Sequence, residues 1–275
     1  MNIIEKILYA LSAEMPEPTG WGWFHIMWLC FIVIAIYLLY RQKNNFNEKQ
    51  LKTVIGTYGF VALTFETLKQ ITWSFDWDFV NQVAIWDYQW YSFPFQLCST
   101  PIYVAVICFF LKKSNLRTTL LSYMAFTTIL GSIATIFLPD SCFTTVILTN
   151  IHTSWLHFGS FVISVYLIMT EEVKLTTENL KKGLKAFVFF VGIAMAMNLI
   201  VYNSGVLNGE EFNMFYISPY FESELPVFNT IQKFVPYPIF LFTYVFALSL
   251  GSGIIFTIAK ILKKEKFNLK IRNIA

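Results

Sequence analysis

A chain of 275 residues with 56% hydrophobic and only 13% charged side chains carries more apolar surface than a water-soluble domain of that size can bury. Its mean hydropathy of +0.56 and 19% aromatic content also exclude a disordered tail, a disulfide scaffold and a collagen-like fibre. The net charge of +3 includes no basic block of the kind that grips nucleic acid, so no nucleic-acid partner is expected.

The first 20 residues carry scattered charges, two prolines and only a short apolar stretch, so no cleavable signal peptide is expected there. Residues 2–11 suit a short amphipathic turn lying on a membrane surface. Seven apolar runs follow, at residues 21–40, 53–72, 93–111, 118–138, 151–170, 186–202 and 234–262. Each approaches the ~20 residues that cross ~30 Å of hydrocarbon. Pro139 and Asp140 stop the fourth run, and the seventh is long enough to tilt or protrude. The expected fold is an all-α bundle of seven transmembrane helices. A segment at 1–20 precedes the membrane domain at 21–262, and a basic tail occupies 263–275.

Orientation follows from the basic residues. Of the 20 lysines and arginines, 17 fall after runs 1, 3, 5 and 7, among them Arg117 after run 3. The alternate loops hold Lys6 and Lys233 together with most of the loop acids, Asp140 among them. The positive-inside rule then places the N-terminus outside and the C-terminus in the cytoplasm. Trp73, Trp77, Trp86 and Trp90 suit an interfacial loop after run 2. The aromatic loop 203–232 suits either a lid or a packed interfacial loop.

Polar residues share a depth. At 1.5 Å per residue, His25, Glu66, Lys69, Gln70, Gln96, Cys98, His157 and Asn198 fall in a layer roughly 5–9 Å below the outer boundary. Such groups cost at least ~2.5–3.5 kcal/mol each in hydrocarbon, so a shared pocket is expected. Glu66, Lys69 and Gln70 share a helical face through their i,i+3 and i,i+4 spacing. Thr153, His157, Ser160 and Ser164 form one stripe that should face the bundle interior. His152 falls off that stripe and is expected at the interface. Run 4 offers no ionisable residue to the layer. Pro94 and Pro101 make the turn around Cys98 irregular.

Cys30 and Cys108 read as packing residues, and a disulfide between Cys98 and Cys142 is compatible with an oxidising outer face. No metal-ligand spacing or cofactor fingerprint occurs, so neither metal nor cofactor is expected. A thiol beside an imidazole is a nucleophile–base pair, and Cys98 with His157 is the candidate, with Ser99 or Thr100 as hydroxyl alternatives. Glu66 or Gln96 would orient the imidazole or hold an oxyanion. At this depth the substrate would be a membrane lipid. A rival reading makes Glu66 and Lys69 the proton or solute site of a transporter, although no inverted repeat is visible.

These residues also carry a resemblance. The segment SFPFQLCSTPIY at 92–103 resembles the third-helix signature of the bacterial YwaF-type integral membrane proteins. FETLKQ at 65–70, SWLHFG at 154–159, the aromatic motifs within 212–240 and His25 agree with it. That family is similar to the eukaryotic Cys/His transmembrane phospholipid acyltransferases, and more distantly to androgen-regulated transmembrane hydrolases of fatty-acid esters that use Thr and His. The resemblance implies a multi-pass protein of the bacterial cytoplasmic membrane, with Cys98 as the acyl-accepting thiol and His157 as base. Relatives with His–His in the fifth helix are matched here by His157–Phe158, and Gln96 stands where some have His.

Overall fold

The computed structural model describes residues 2–78, 80–139 and 142–272, with the side chains of Trp77 and 265–272 left aside. Asp140 and the end of the basic tail therefore lie outside the described residues. The chain is 71% helical. Helix α1 (Ile3–Leu11) is closed by a capping box between Asn2 and Glu5, so the expected amphipathic turn is a full helix. It is followed by α2 (Trp23–Gln42), α3 (Glu48–Thr72), α4 (Thr100–Phe110), α5 (Asn115–Tyr123), α6 (Ile129–Phe137), α7 (Ile147–Met169), α8 (Thr177–Ser204), α9 (Pro226–Phe234) and α10 (Tyr237–Arg272).

Among the described residues, five segments are long and apolar enough to cross a membrane: α2, α5 with α6, α7, α8, and α10 as far as Lys264. Helix α3 is about 37 Å long at 1.5 Å per residue but carries charges at both ends. Helix α4 covers only 11 residues, about 16 Å. The prolines explain its shortness. Pro101 lies in the first turn, where a missing N–H costs nothing, so the helix begins there instead of at residue 93. The last apolar run is also cut: Phe234 ends α9, and α10 starts beyond Pro236.

Strict all-α character fails at one place. The tryptophan-rich segment forms an antiparallel hairpin, β1 (Phe75–Asp78) with β2 (Val83–Trp86), pairing Phe75 with Trp86. Trp73 ties its base to α7, its indole N–H donating to Thr149 Oγ1 at 3.1 Å. Cys30, expected in packing, is exposed on the flank of α2, whereas Cys108 is fully buried.

Two devices set the register of the bundle. A Cβ on Gly59 would lie 2.8 Å from Ala105 Cβ and 3.0 Å from Val106 N, and one on Gly56 would run into the Phe109 ring. These glycines let α3 and α4 approach backbone to backbone, the small-residue packing that membrane helices favour. Ile55, Gly59, Ala62 and Glu66 share that face, so close approach also carries Glu66 inward. Between α5 and α6, residues Met124–Thr128 form a π-turn. Its wider loop rotates α6 relative to α5. Ser164 Oγ of the α7 stripe donates to Met124 O there at 2.8 Å.

Candidate functional site: a polar layer at one end of the bundle

The site gathers at the end of the bundle where the hairpin, the segment 93–99 and the loop 205–225 meet. Glu66 is its hub and is 2% exposed. Its Oε1 meets Lys69 Nζ at 2.8 Å and accepts from Gln70 Nε2 at 2.9 Å. Its Oε2 meets His152 Nε2 at 2.9 Å. The expectation for His152 is thus corrected: it is buried against α3. Helix α7 starts at Ile147, earlier than the apolar run suggests, so His152 already lies inside the bundle.

Lys69 and Gln70 also hold the unwound segment 93–99. Both donate to Ser92 O, at 3.1 and 2.7 Å. Tyr103 OH donates to Pro94 O at 2.6 Å, and Thr100 Oγ1 donates to Leu97 O at 2.8 Å. Buried backbone outside a helix needs such partners, because hydrocarbon supplies none. Thr100 also meets Tyr123 OH at 2.6 Å, so its own proton is committed to a carbonyl. Tyr88, on the segment after the hairpin, donates to Gln70 Oε1 at 3.0 Å. Burial, and then the nearby Glu66 carboxylate, push its phenol up to about 12, so it stays a neutral donor.

Gln96 and Asn198 do different work. The loop 212–218 dips into the bundle, with Phe212, Met214, Phe215 and Ile217 fully buried. Gln96 Nε2 donates to Asn213 O at 3.0 Å, and Phe215 N donates to Gln96 Oε1 at 2.7 Å. Asn198 does the same for Met214: Nδ2 donates to its carbonyl at 3.0 Å and Oδ1 accepts its N–H at 2.7 Å. These amides satisfy buried backbone and hold Phe215 and Tyr216 at φ of 61° and 56°, a region costly for such residues. The loop is thus a plug pinned into the bundle. His25 is likewise local: its Nδ1 accepts from Trp21 N at 3.1 Å, and its ring packs against Phe143 and Phe158.

Cys98 and His157 each lie deep in the protein yet keep accessible surface. Cys98 is within electrostatic range of Glu66, Lys69 and Cys142, and His157 of His152. The phenols of Tyr58, Tyr123, Tyr216 and Tyr244 are also within electrostatic range of Cys98. Cys98 and Cys142 are not joined in a disulfide. Among the described residues, Cys98 and His157 share no hydrogen bond. His157 Nδ1 instead meets Thr135 Oγ1 at 3.1 Å. Run 4 does therefore contribute to the layer, through a hydroxyl and not an ionisable group. A groove of about 540 Å³ along α8 and α10, lined by Leu180, Leu250 and Phe256, contains none of these residues.

Sequence reading also missed a buried ion pair at the opposite end. Arg117, counted as a loop charge, is 2% exposed and pairs with Glu172 at 2.5 Å. Its Nε donates to Cys108 O at 3.3 Å.

Long apolar helices around an interior polar layer define a multipass helical membrane protein. The TMEM164 family model matches residues 20–256, and the chain belongs to the TMEM164 family, a family of transmembrane proteins. Comparison with curated proteins and with solved structures gives no match.

Proposed function

We propose that the protein is a membrane enzyme of acyl transfer or ester hydrolysis on a lipid, with Cys98 as nucleophile and His157 as base. The observation that carries this reading is the position of Cys98. It sits on an unwound segment inside the bundle, propped by Lys69, Gln70, Tyr103 and Thr100, and retains accessible surface beside an acid–imidazole cluster. Irregular backbone at membrane depth is kept where it is buried in protein or lines a cavity. The Tyr244 hydroxyl, buried without a partner among the described residues, supplies a donor for a polar substrate atom. His157 is held at Nδ1 by Thr135. In the reaction the Cys98 thiolate attacks the ester carbonyl, and the departing lipid oxygen takes the proton from His157.

In this reading α3, and α4 together with the unwound segment 93–99, also cross the bilayer, giving seven spans with the N-terminus outside and the C-terminal tail on the cytoplasmic face of a bacterial membrane. The resemblance to YwaF-type proteins and to Cys/His phospholipid acyltransferases supports the same chemistry. The rival transport reading is weaker, because Glu66 and Lys69 are engaged by His152, Gln70 and Ser92 and do not stand open to a solute.

The test is reconstitution in phospholipid vesicles carrying a labelled acyl chain, following both acyl transfer to lysolipid and fatty-acid release. Cys98→Ala and His157→Ala should each lower turnover by about 100-fold or more. Turnover unchanged by both substitutions would refute the assignment.

A further inference from the structure

The hydrogen-bond route leading away from His157 does not reach Cys98. It passes through Thr135, whose Oγ1 lies 3.1 Å from His157 Nδ1, 3.1 Å from Gly131 O and 3.8 Å from Cys142 Sγ. Thr135 is 5% exposed, so water does not compete strongly for its hydroxyl. Cys142 is part-exposed, in the turn after α6 where its N–H donates to Pro139 O at 2.8 Å. We infer that Cys142 is a second reactive thiol of this site, its proton passing through Thr135 to His157.

The chain has two arrangements that differ only in where protons sit. In one, His157 Nδ1–H donates to Thr135, and the threonine proton points to Gly131 O. In the other, the imidazole carries its proton on Nε2. Thr135 then donates to Nδ1, and Cys142 S–H donates to Thr135. Transfer along the second chain moves the thiol proton to Thr135 Oγ1 and the threonine proton to Nδ1. The transfer accompanies attack of the Cys142 sulfur on an electrophile, with no oxidant or further reactant required, so the relay makes Cys142 nucleophilic.

Thr135 acts through its neighbours and is a positioning residue.

The experiment is alkylation of the full-length protein with iodoacetamide, with the rate at each cysteine read by peptide mass spectrometry. Thr135→Val and His157→Gln should each slow alkylation of Cys142 by about tenfold or more, whereas Thr135→Ser should keep it within about twofold of wild type. Unchanged Cys142 rates in both Thr135→Val and His157→Gln would overturn the relay. So would equal slowing in Thr135→Ser, since packing rather than the hydroxyl would then be responsible. Rates that follow the expected pattern while no acyl group is found on any cysteine would leave the relay standing and remove the lipid reading.

Discussion

Replacing Glu66 with alanine removes the one acceptor shared by Lys69, Gln70 and His152. Stripping one partner from a buried ion pair costs ~3–5 kcal/mol, mostly the penalty of stranding the other charge. One feature places Glu66→Ala near the lower end: Lys69 keeps its bond to Ser92 O and some solvent access, at 13% side-chain exposure. A loss of ~3 kcal/mol corresponds to a fall of roughly 6–12 °C in Tm for a chain of this size. Glu66→Gln keeps an acceptor oxygen and the shape, and should cost about 1–2 kcal/mol. The triple variant Glu66→Met, Lys69→Met, His152→Leu should recover most of the loss, because well-packed apolar side chains replace a buried ionic cluster at little cost. Ser92 O still has Gln70 as a donor in that variant. Thermal unfolding in nanodiscs, followed by tryptophan fluorescence, reads all three. A Glu66→Ala variant that melts with wild type, or a triple variant less stable than Glu66→Ala, would refute the view of Glu66 as hub.

Gln96→Leu leaves Phe215 N without a partner, at ~1–3 kcal/mol, and Asn213 O with only the Tyr216 N–H. Hydrogen exchange across residues 210–220 should quicken markedly while α7 keeps its protection; equal protection of the loop would contradict the pinned plug. Gly59→Leu should destabilise by at least ~1–3 kcal/mol, because its Cβ already meets Ala105 and Val106. The same substitution at Gly192, where a Cβ meets nothing within 4 Å, should be nearly silent in the same melting assay. Arg117→Ala should lower Tm more than the double variant Arg117→Met, Glu172→Met, since only the single change strands a buried carboxylate.

Five of the expected spans were legible because apolar length is a one-dimensional signal that a bilayer imposes directly. The shared face of Glu66, Lys69 and Gln70 was also legible, since helical periodicity alone sets it. Other features depend on the third dimension. His152 looked peripheral because α7 begins before its apolar run does. The helical face of Thr135 depends on the π-turn at Met124–Thr128, which has no sequence signature. Gln96 and Asn198 resembled site residues because an amide that satisfies buried backbone looks the same in sequence as one that binds a ligand. Arg117 was miscounted because its partner, Glu172, lies far along the chain at the start of another connection. Pro101 was read as a disturbance within a helix, whereas it marks where the helix begins.

The most direct measurement is the covalent state of Cys98 during exposure to lipid. The reconstituted protein is quenched in acid after mixing with a phospholipid of defined acyl chain, and the cysteine peptides are weighed. The account predicts an added acyl mass on the Cys98 peptide that hydroxylamine removes and that is absent in His157→Ala. Turnover with Cys98 unmodified throughout, or turnover that persists in Cys98→Ala, would contradict it.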